Sequence, residues 1–228
     1  SWVLDVARLY PQTRVVGIDI SQLMIEYARI EAQRFGVNNA SFQVMDVLKS
    51  LDFPDGSFDL VNARLLSVFM PPAVWPKLMQ DSMRILRLGG IIRLTECEWC
   101  ITNGTAFEKM NGLITQALQV AGQSFSPDGR HLGITPMLGR FLHNAGCQGI
   151  QKMAHAIDFS YGMEAHNGCY QDVMVLFKLL QSFLIKMGVT TQEEVDVLYH
   201  RALAEMQSED FCGIWYFLSV WGQKTHNE

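Results

Sequence analysis

Arg14-Val15-Val16-Gly17-Ile18-Asp19-Ile20-Ser21 is the stretch on which the fold turns. Its short β-branched run has the composition of a strand buried on both faces. It closes on a carboxylate, Asp19, and Ser21 follows as a good helix N-cap. Residues 22–35 then place Leu23, Met24, Tyr27, Ala28 and Glu31 at helical spacing, and Gly36 stops the helix as a C′ residue. Strand, tight turn and helix in that order are the first half of a βαβ unit.

The same rhythm continues downstream. Residues 40–45 alternate like a strand and end on Asp46, and Phe53-Pro54-Asp55-Gly56 turns the chain into a third strand at 58–62. Pro71-Pro72 breaks the chain, residues 74–88 read as a helix ending at Gly89-Gly90, and residues 91–95 form the next strand. Strands alternating with helices imply an α/β fold, a Rossmann-like sheet that is mostly parallel with helices on both faces. Beyond Cys100 the spacing predicts helices at 107–120 and from Thr135-Pro136 to Ala145-Gly146, with a Ser126-Pro127-Asp128-Gly129 turn between them. Long strands follow at 151–161 and 211–224, with helices at 170–187 and 193–206 between them. Thr191 and Glu194 open the second of these helices with a near capping box.

Composition excludes several classes. Hydrophobic residues make up 49% and charged residues 18%, which suits a folded core and not a disordered chain. The net charge is −5 with no basic run, so a nucleic-acid backbone is not the expected partner. No stretch approaches the ~20 apolar residues of a membrane span, and the start has no basic n-region. A cytoplasmic protein is expected. Of the five cysteines, Cys97 and Cys100 form a lone CxxC without a second pair or a nearby His, so no metal site is expected.

Asp19 ends its strand where open α/β sheets bind ligands, and a carboxylate there can accept from both hydroxyls of a ribose. Asp46, ending the next strand, can accept from an exocyclic amine such as that of adenine. Either residue alone is equally well a turn or cap residue. Two in this order describe an adenosine site.

With Val44-Met45-Asp46-Val47, Phe53-Pro54-Asp55-Gly56-Ser57-Phe58-Asp59-Leu60-Val61 and Leu86-Arg87-Leu88-Gly89-Gly90, the stretch from Arg14 to Ser21 resembles the class I S-adenosylmethionine (SAM)-dependent methyltransferases. Within them it is similar to the small-molecule branch of type 11 and type 25. The resemblance implies SAM as cofactor, with Asp19 on the ribose and Ile20, Ser21 and Met24 lining the adenosine. It puts Asp46 on the adenine amine and the Val47 amide on the ring, and it implies Asn62, Ala63 and Arg64 beside the methionine moiety and the transferred methyl. Residues 211–217 resemble the family's antiparallel last strand, and Leu88 replaces the proline of its Leu-Arg-Pro-Gly-Gly turn.

One departure concerns the family's opening strand and Gly-x-Gly-x-Gly loop. Val3-Leu4-Asp5-Val6 looks like that strand, yet Ala7-Arg8-Leu9-Tyr10-Pro11 follows where glycines belong. Residues 1–10 are therefore expected to be the helix after the loop, with Trp2, Val6, Leu9 and Tyr10 facing the sheet. Strand and loop would then precede Ser1, and without them the sheet would carry two open inner edges.

The expected organisation is one methyltransferase domain over 1–228, with a SAM-binding core at 1–100 and an acceptor side at 101–228. A helical insertion over about 167–207 would roof the acceptor. Glu96, Trp99, His131 and Tyr161 are the candidate acceptor-pocket residues, and His131 is the candidate base, its ordinary pKa lying near neutrality. Many Met and aromatic side chains suit an apolar or aromatic small-molecule acceptor, methylated at O, N or C. A homodimer remains open. Two other classes stay in view: a non-catalytic binding or scaffold module on this fold, and a nicotinamide-dependent dehydrogenase. The position of Asp46 and the antiparallel last strand weigh against the dehydrogenase.

Overall fold

The computed structural model describes residues 2–225. The chain divides into two compact units, split between Pro54 and Asp55. Ser1, expected in the first helix, lies outside the described residues.

The first unit holds α1 (Trp2–Leu9), β1 (Val15–Asp19), α2 (Gln22–Arg34) and β2 (Ala40–Val44). β1 and β2 pair in parallel, with Val15 opposite Ala40 and Asp19 opposite Val44. Among the described residues β1 has β2 as its one strand partner. Val3-Leu4-Asp5-Val6 is helical, as the absence of glycines after it requires. The buried face of α1, however, is Leu4 and Ala7, while Leu9 and Tyr10 are exposed, which corrects the expected stripe. The reason lies under the helix. A Cβ on Gly17 would sit 2.9 Å from the Phe42 ring and 3.2 Å from Val3 Cγ2, so the bare backbone of β1 admits this side of α1. α2 differs in the same way. Ile25 and Ala32 enter the core with Val37 and Phe42, and Leu23 and Tyr27 face outward. Asn39 Nδ2 donates to Ala7 O and Thr13 O at 3.0 Å each, satisfying carbonyls that the end of α1 leaves open.

The second unit contains β3 (Phe58–Arg64), α3 (Trp75–Ile85), β4 (Leu86–Cys97), β5 (Ile101–Thr102) and α4 (Thr105–Val120). α5 (Leu138–Asn144), β6 (Cys147–Asp158), α6 (His166–Lys186), α7 (Gln192–Met206) and β7 (Gly213–Lys224) complete it. The strand order is β3-β4-β7-β5, with β6 on the other side of β7. β3 and β4 are parallel, and β7 runs antiparallel to β4, β5 and β6. The expected antiparallel last strand is therefore present, and the two-residue β5 is an element the spacing did not predict. β4 at 86–97 shares one sheet with strands beyond residue 100, so no sheet boundary falls there.

The helix expected at 74–88 ends early, at Ile85, and Leu88-Gly89-Gly90 lies inside β4. Pairing jumps from Phe58 opposite Leu86 to Leu60 opposite Ile91, so residues 87–90 bulge opposite Asp59. Arg87 bonds Asp59 across the bulge, and Gly89 takes φ +77° there, where a side chain would be strained. Lys224 Nζ donates to Met83 O at 2.6 Å and Leu86 O at 2.7 Å, capping the carbonyl end of α3 from the far end of β7.

α6 and α7 correspond to the expected insertion, and they pack on each other and on α4. Phe107 of α4 lies 5.1 Å from Phe177 of α6 and 6.1 Å from Phe211, ring centroid to centroid. Glu205 of α7 accepts the amides of Ala106 and Phe107 at 2.9–3.0 Å, closing the first turn of α4. Thr191 Oγ1 accepts the Glu194 amide at 3.2 Å, as the capping pattern predicts.

Gly213 starts β7 against this aromatic cluster, and a Cβ there would meet Phe159 ring carbons at 2.5 Å. Gly213→Ala is expected to lower stability by about 2 kcal/mol through overpacking. Urea unfolding checks it, with a fall in midpoint at unchanged slope as the outcome.

Candidate active site

In the first unit, parallel pairing brings Asp19 and Asp46 to the same end of adjacent strands. Asp19 O accepts the Met45 amide at 2.9 Å, fixing the two strand ends side by side. Asp19 Oδ1 accepts the Ser21 amide at 2.8 Å, and Ser21 Oγ accepts the Met24 amide at 3.3 Å. Asp46 Oδ1 accepts the Leu48 amide at 3.0 Å. Each aspartate thus serves as a turn residue through Oδ1, while Oδ2 of neither has a hydrogen-bond partner among the described residues. The turn bonds thus occupy one oxygen of each carboxylate. Ile20 is exposed, and Met45, Asp46 and Val47 are half-buried. A groove of about 570 Å³ runs between α1 and α2 over β1 and includes Asp19 and Met24 along with Tyr27, Phe35 and Phe42. Ser21, Asp46 and Val47 do not line it.

In the second unit, Asn62, Ala63 and Arg64 are the last residues of β3, opposite Arg93, Leu94 and Thr95 of β4. The next residue, Leu65, has φ +55° and is the one non-glycine residue with positive φ among the described residues. For an L residue that conformation costs about 1–2 kcal/mol. Three consecutive amides turn back toward β4 there. Leu65 donates to Thr95 O at 3.0 Å, Leu66 to Glu96 Oε1 at 2.7 Å and Ser67 to Glu96 Oε2 at 3.3 Å. Ser67 Oγ donates to Glu96 Oε2 at 2.8 Å, the third bond to that carboxylate. Such a run of inward amides is an anion-binding nest, and here a side chain of the protein fills it.

Glu96, expected as an acceptor contact, is 1% exposed with both oxygens engaged in this turn. Its carboxyl faces the backbone and not an open pocket. Burial pushes its pKa up, against the pull of the Leu66 and Ser67 bonds. Glu98 does similar work two residues on, accepting the amides of Gly133 and Thr135 at 3.0 and 3.1 Å and Thr135 Oγ1 at 2.9 Å. It thereby anchors the far end of the loop that carries His131, which is itself exposed. Trp99 and Asn62 each bury a polar atom, Nε1 and Oδ1, without a partner among the described residues. Tyr161 lies apart from these, at the end of β6, against the buried His166 and near Phe211. Its amide donates to Phe211 O at 2.9 Å.

Three features here escape the sequence. The nest at residues 65–67, the loop anchor Glu98 and the buried His166 depend on partners 7 to 37 positions away or on local backbone shape. Alternation of Glu96 and Glu98 at a strand end was the one visible signal. The cysteines of the CxxC are buried thiols. Burial pushes both Cys97 and Cys100 up to about 12.

Residues 1–90 match the family model described as a methyltransferase domain. The structure of the YcgJ protein from Bacillus subtilis superposes with a TM-score of 0.54 at 14% identity, covering 94% of this chain and 84% of that one. The fold is that of the class I methyltransferases. Phosphoethanolamine N-methyltransferase 2 from Haemonchus contortus, solved with S-adenosylhomocysteine (SAH), shares this methyltransferase fold. Its TM-score is 0.50 at 17% identity, over 96% of this chain and 46% of that one. In sequence, aklanonic acid methyltransferase DauC from Streptomyces sp. (strain C5) is 48% identical over 60 residues, 26% of this chain and 27% of that protein. The matched stretches span under a third of the length of the curated relatives.

Two measurements check this geometry. A thiol-specific disulfide reagent at neutral pH is expected to label Cys212 rapidly in the native chain, because Cys97, Cys100, Cys147 and Cys169 are buried. Rapid labelling of a second thiol would contradict the burial. For Glu96, the native chain holds its proton above the ordinary value of 4.5. Its contribution to stability is therefore full below pH 4.5 and is lost as pH rises through the native value. The melting temperature of Glu96→Gln relative to the parent should climb across that window and level off above it.

Proposed function

We propose that this chain, as a single methyltransferase domain, transfers a methyl group from SAM to a small-molecule acceptor. The supporting observation is the pair of aspartates at the same end of the adjacent parallel strands β1 and β2, Asp19 closing β1 and Asp46 just past Val44 of β2, each with one oxygen in its turn and the other left over. That pair of acceptors fits an adenosine: a carboxylate for vicinal ribose hydroxyls beside a second for an exocyclic amine. The bound cofactor supplies a methyl group on an electrophilic sulfonium. Asp19 and Asp46 hold and orient it, with Ile20, Ser21, Met24 and Val47 along the adenosine. At the end of β3, Asn62, Ala63 and Arg64 are assigned to the methionine and methyl end.

Displacement at a methyl carbon needs alignment and a dry site more than acid–base help. A base is required where the acceptor must lose a proton, and His131 holds that role in this proposal. Trp99 and Tyr161 are offered as acceptor contacts. The acceptor is an apolar or aromatic small molecule methylated at O, N or C, in keeping with a relative named for aklanonic acid. The proposed setting is the cytoplasm. No described helix is long and apolar enough to cross a membrane. Nucleic acid is not a proposed partner.

The competing proposal is a non-catalytic binding or scaffold module on the same fold. Isothermal titration with SAH separates the two. The parent chain is expected to bind, and Asp19→Ala and Asp46→Ala each to weaken binding about tenfold or more, the loss of a charge-assisted hydrogen bond. No heat of binding to the parent chain would favour the scaffold.

A further inference from the structure

β6 is an outer strand of the second unit's sheet. Among the described residues it pairs with β7 alone, and no backbone group from Gln151 to Asp158 bonds anything beyond that strand. Every residue in this run is exposed, Met153 at 51% and Ile157 at 37% included. The pairing with β7 fixes which groups point outward. The Phe159 amide donates to Gly213 O, and the register continues unbroken through Ile157–Trp215, His155–Phe217 and Met153–Ser219. Bonded positions alternate along each edge of an antiparallel strand, so Lys152, Ala154, Ala156 and Asp158 turn their amides and carbonyls to the open edge. Edge strands are ordinarily blunted by a proline, a bulge or repeated charges. The bulge of β6 lies before Gln151, and the run beyond it has no proline and a single lysine.

We propose that a second copy of the chain covers this edge, the two β6 strands pairing antiparallel about a two-fold axis at His155. Charge complementarity selects both the occupant and the register. Lys152 and Asp158 have no ion pair among the described residues. Along one strand they stand about 20 Å apart at ~3.4 Å per residue, too far to meet. Hydrogen bonds from Ser160 hold the Asp158 carboxyl below its usual range, so it is charged at neutral pH. The two residues flank His155 at equal spacing, and an axis there sets each Lys152 opposite the partner's Asp158. The same register sets Met153 opposite the partner's Ile157 and Ala154 opposite the partner's Ala156, and the outward amides and carbonyls bond across the junction. Opposite charges and apolar side chains facing each other on one face of a strand pair are stabilising. A register two residues off in either direction puts Asp158 opposite Ile150 or Ala154 and parts the charges. Because the contact is isologous it uses up the edge, and assembly through it stops at two copies.

Sedimentation velocity of the full chain is the test, with thermal melting to check that each variant folds. A strand-to-strand junction is a small interface, so the parent should be dimeric at about 100 μM and monomeric at about 1 μM. Ala154→Pro removes an outward amide and none that β7 uses, and should leave a folded monomer at the higher concentration. If that variant does not fold, the charge variants carry the test. Lys152→Asp and Asp158→Lys should each weaken association about tenfold, since like charges then face each other across the axis. Mixed in equal amounts, the two variants should form a heterodimer about as tight as the parent dimer, because each acid again faces a lysine. A parent that stays monomeric at the higher concentration overturns the proposal. So does a dimer that survives Ala154→Pro, a single charge variant that associates as the parent does, or a mixture no tighter than its components.

Discussion

Strand β7 is the constraint on which the second unit depends, because it is hydrogen-bonded along both edges. One edge takes β4 over Ile91–Cys97 and then β5, and the other takes β6 from Cys147 to Asp158. Without β7 those strands have no common partner, and the backbone groups of β4 facing it would be buried unpaired at considerable cost. The side chains reinforce the register. Thr95 Oγ1 and Ser219 Oγ share a buried hydrogen bond at 2.8 Å, and Arg93 donates to the same Ser219 oxygen at 3.0 Å. Lys224, at the end of the strand, finishes α3 by taking its last carbonyls. Sheet closure and helix termination are thus the same event.

Much of this was legible in the sequence where a local rule decides the outcome. Ser21 caps α2, Gly36 ends it with φ +65°, and Thr191 caps α7, each a short-range hydrogen bond or a backbone angle that the residue type dictates. Helix boundaries set by distant partners were not legible. Residues 86–90 have an acceptable helical pattern, but β3 claims Leu86 as a strand partner and Arg87 turns to Asp59. Tertiary pairing overrode a propensity that was weak to begin with. The buried stripes of α1 and α2 were rotated for a related reason: Gly17 opens space on one side of β1, and only the packed structure shows which side.

The candidate residues of the two units differ in the same respect. Asp19 and Asp46 sit at strand ends, and strand ends follow from composition, so their adjacency could be expected. Glu96 and Glu98 also sit at a strand end, yet their work is done on residues 65–67 and 133–135. A carboxyl group at such a place looks free in the sequence and is fully engaged in the fold. For these two the residue type suggested an open pocket, and the partners are amides and hydroxyls of the chain itself.

The bond from Arg93 to Ser219 spans 126 positions in the chain. In kinetic terms, β4 can pair early with β3 but must wait for β7 before its other edge is covered. Long-range antiparallel closure of this kind slows folding. Until it happens, Ile92 and Leu94, both fully buried at the end, lie on an apolar edge open to other chains. The slow phase of refolding should therefore belong to sheet closure at β7, and the yield should fall with protein concentration while that edge is bare.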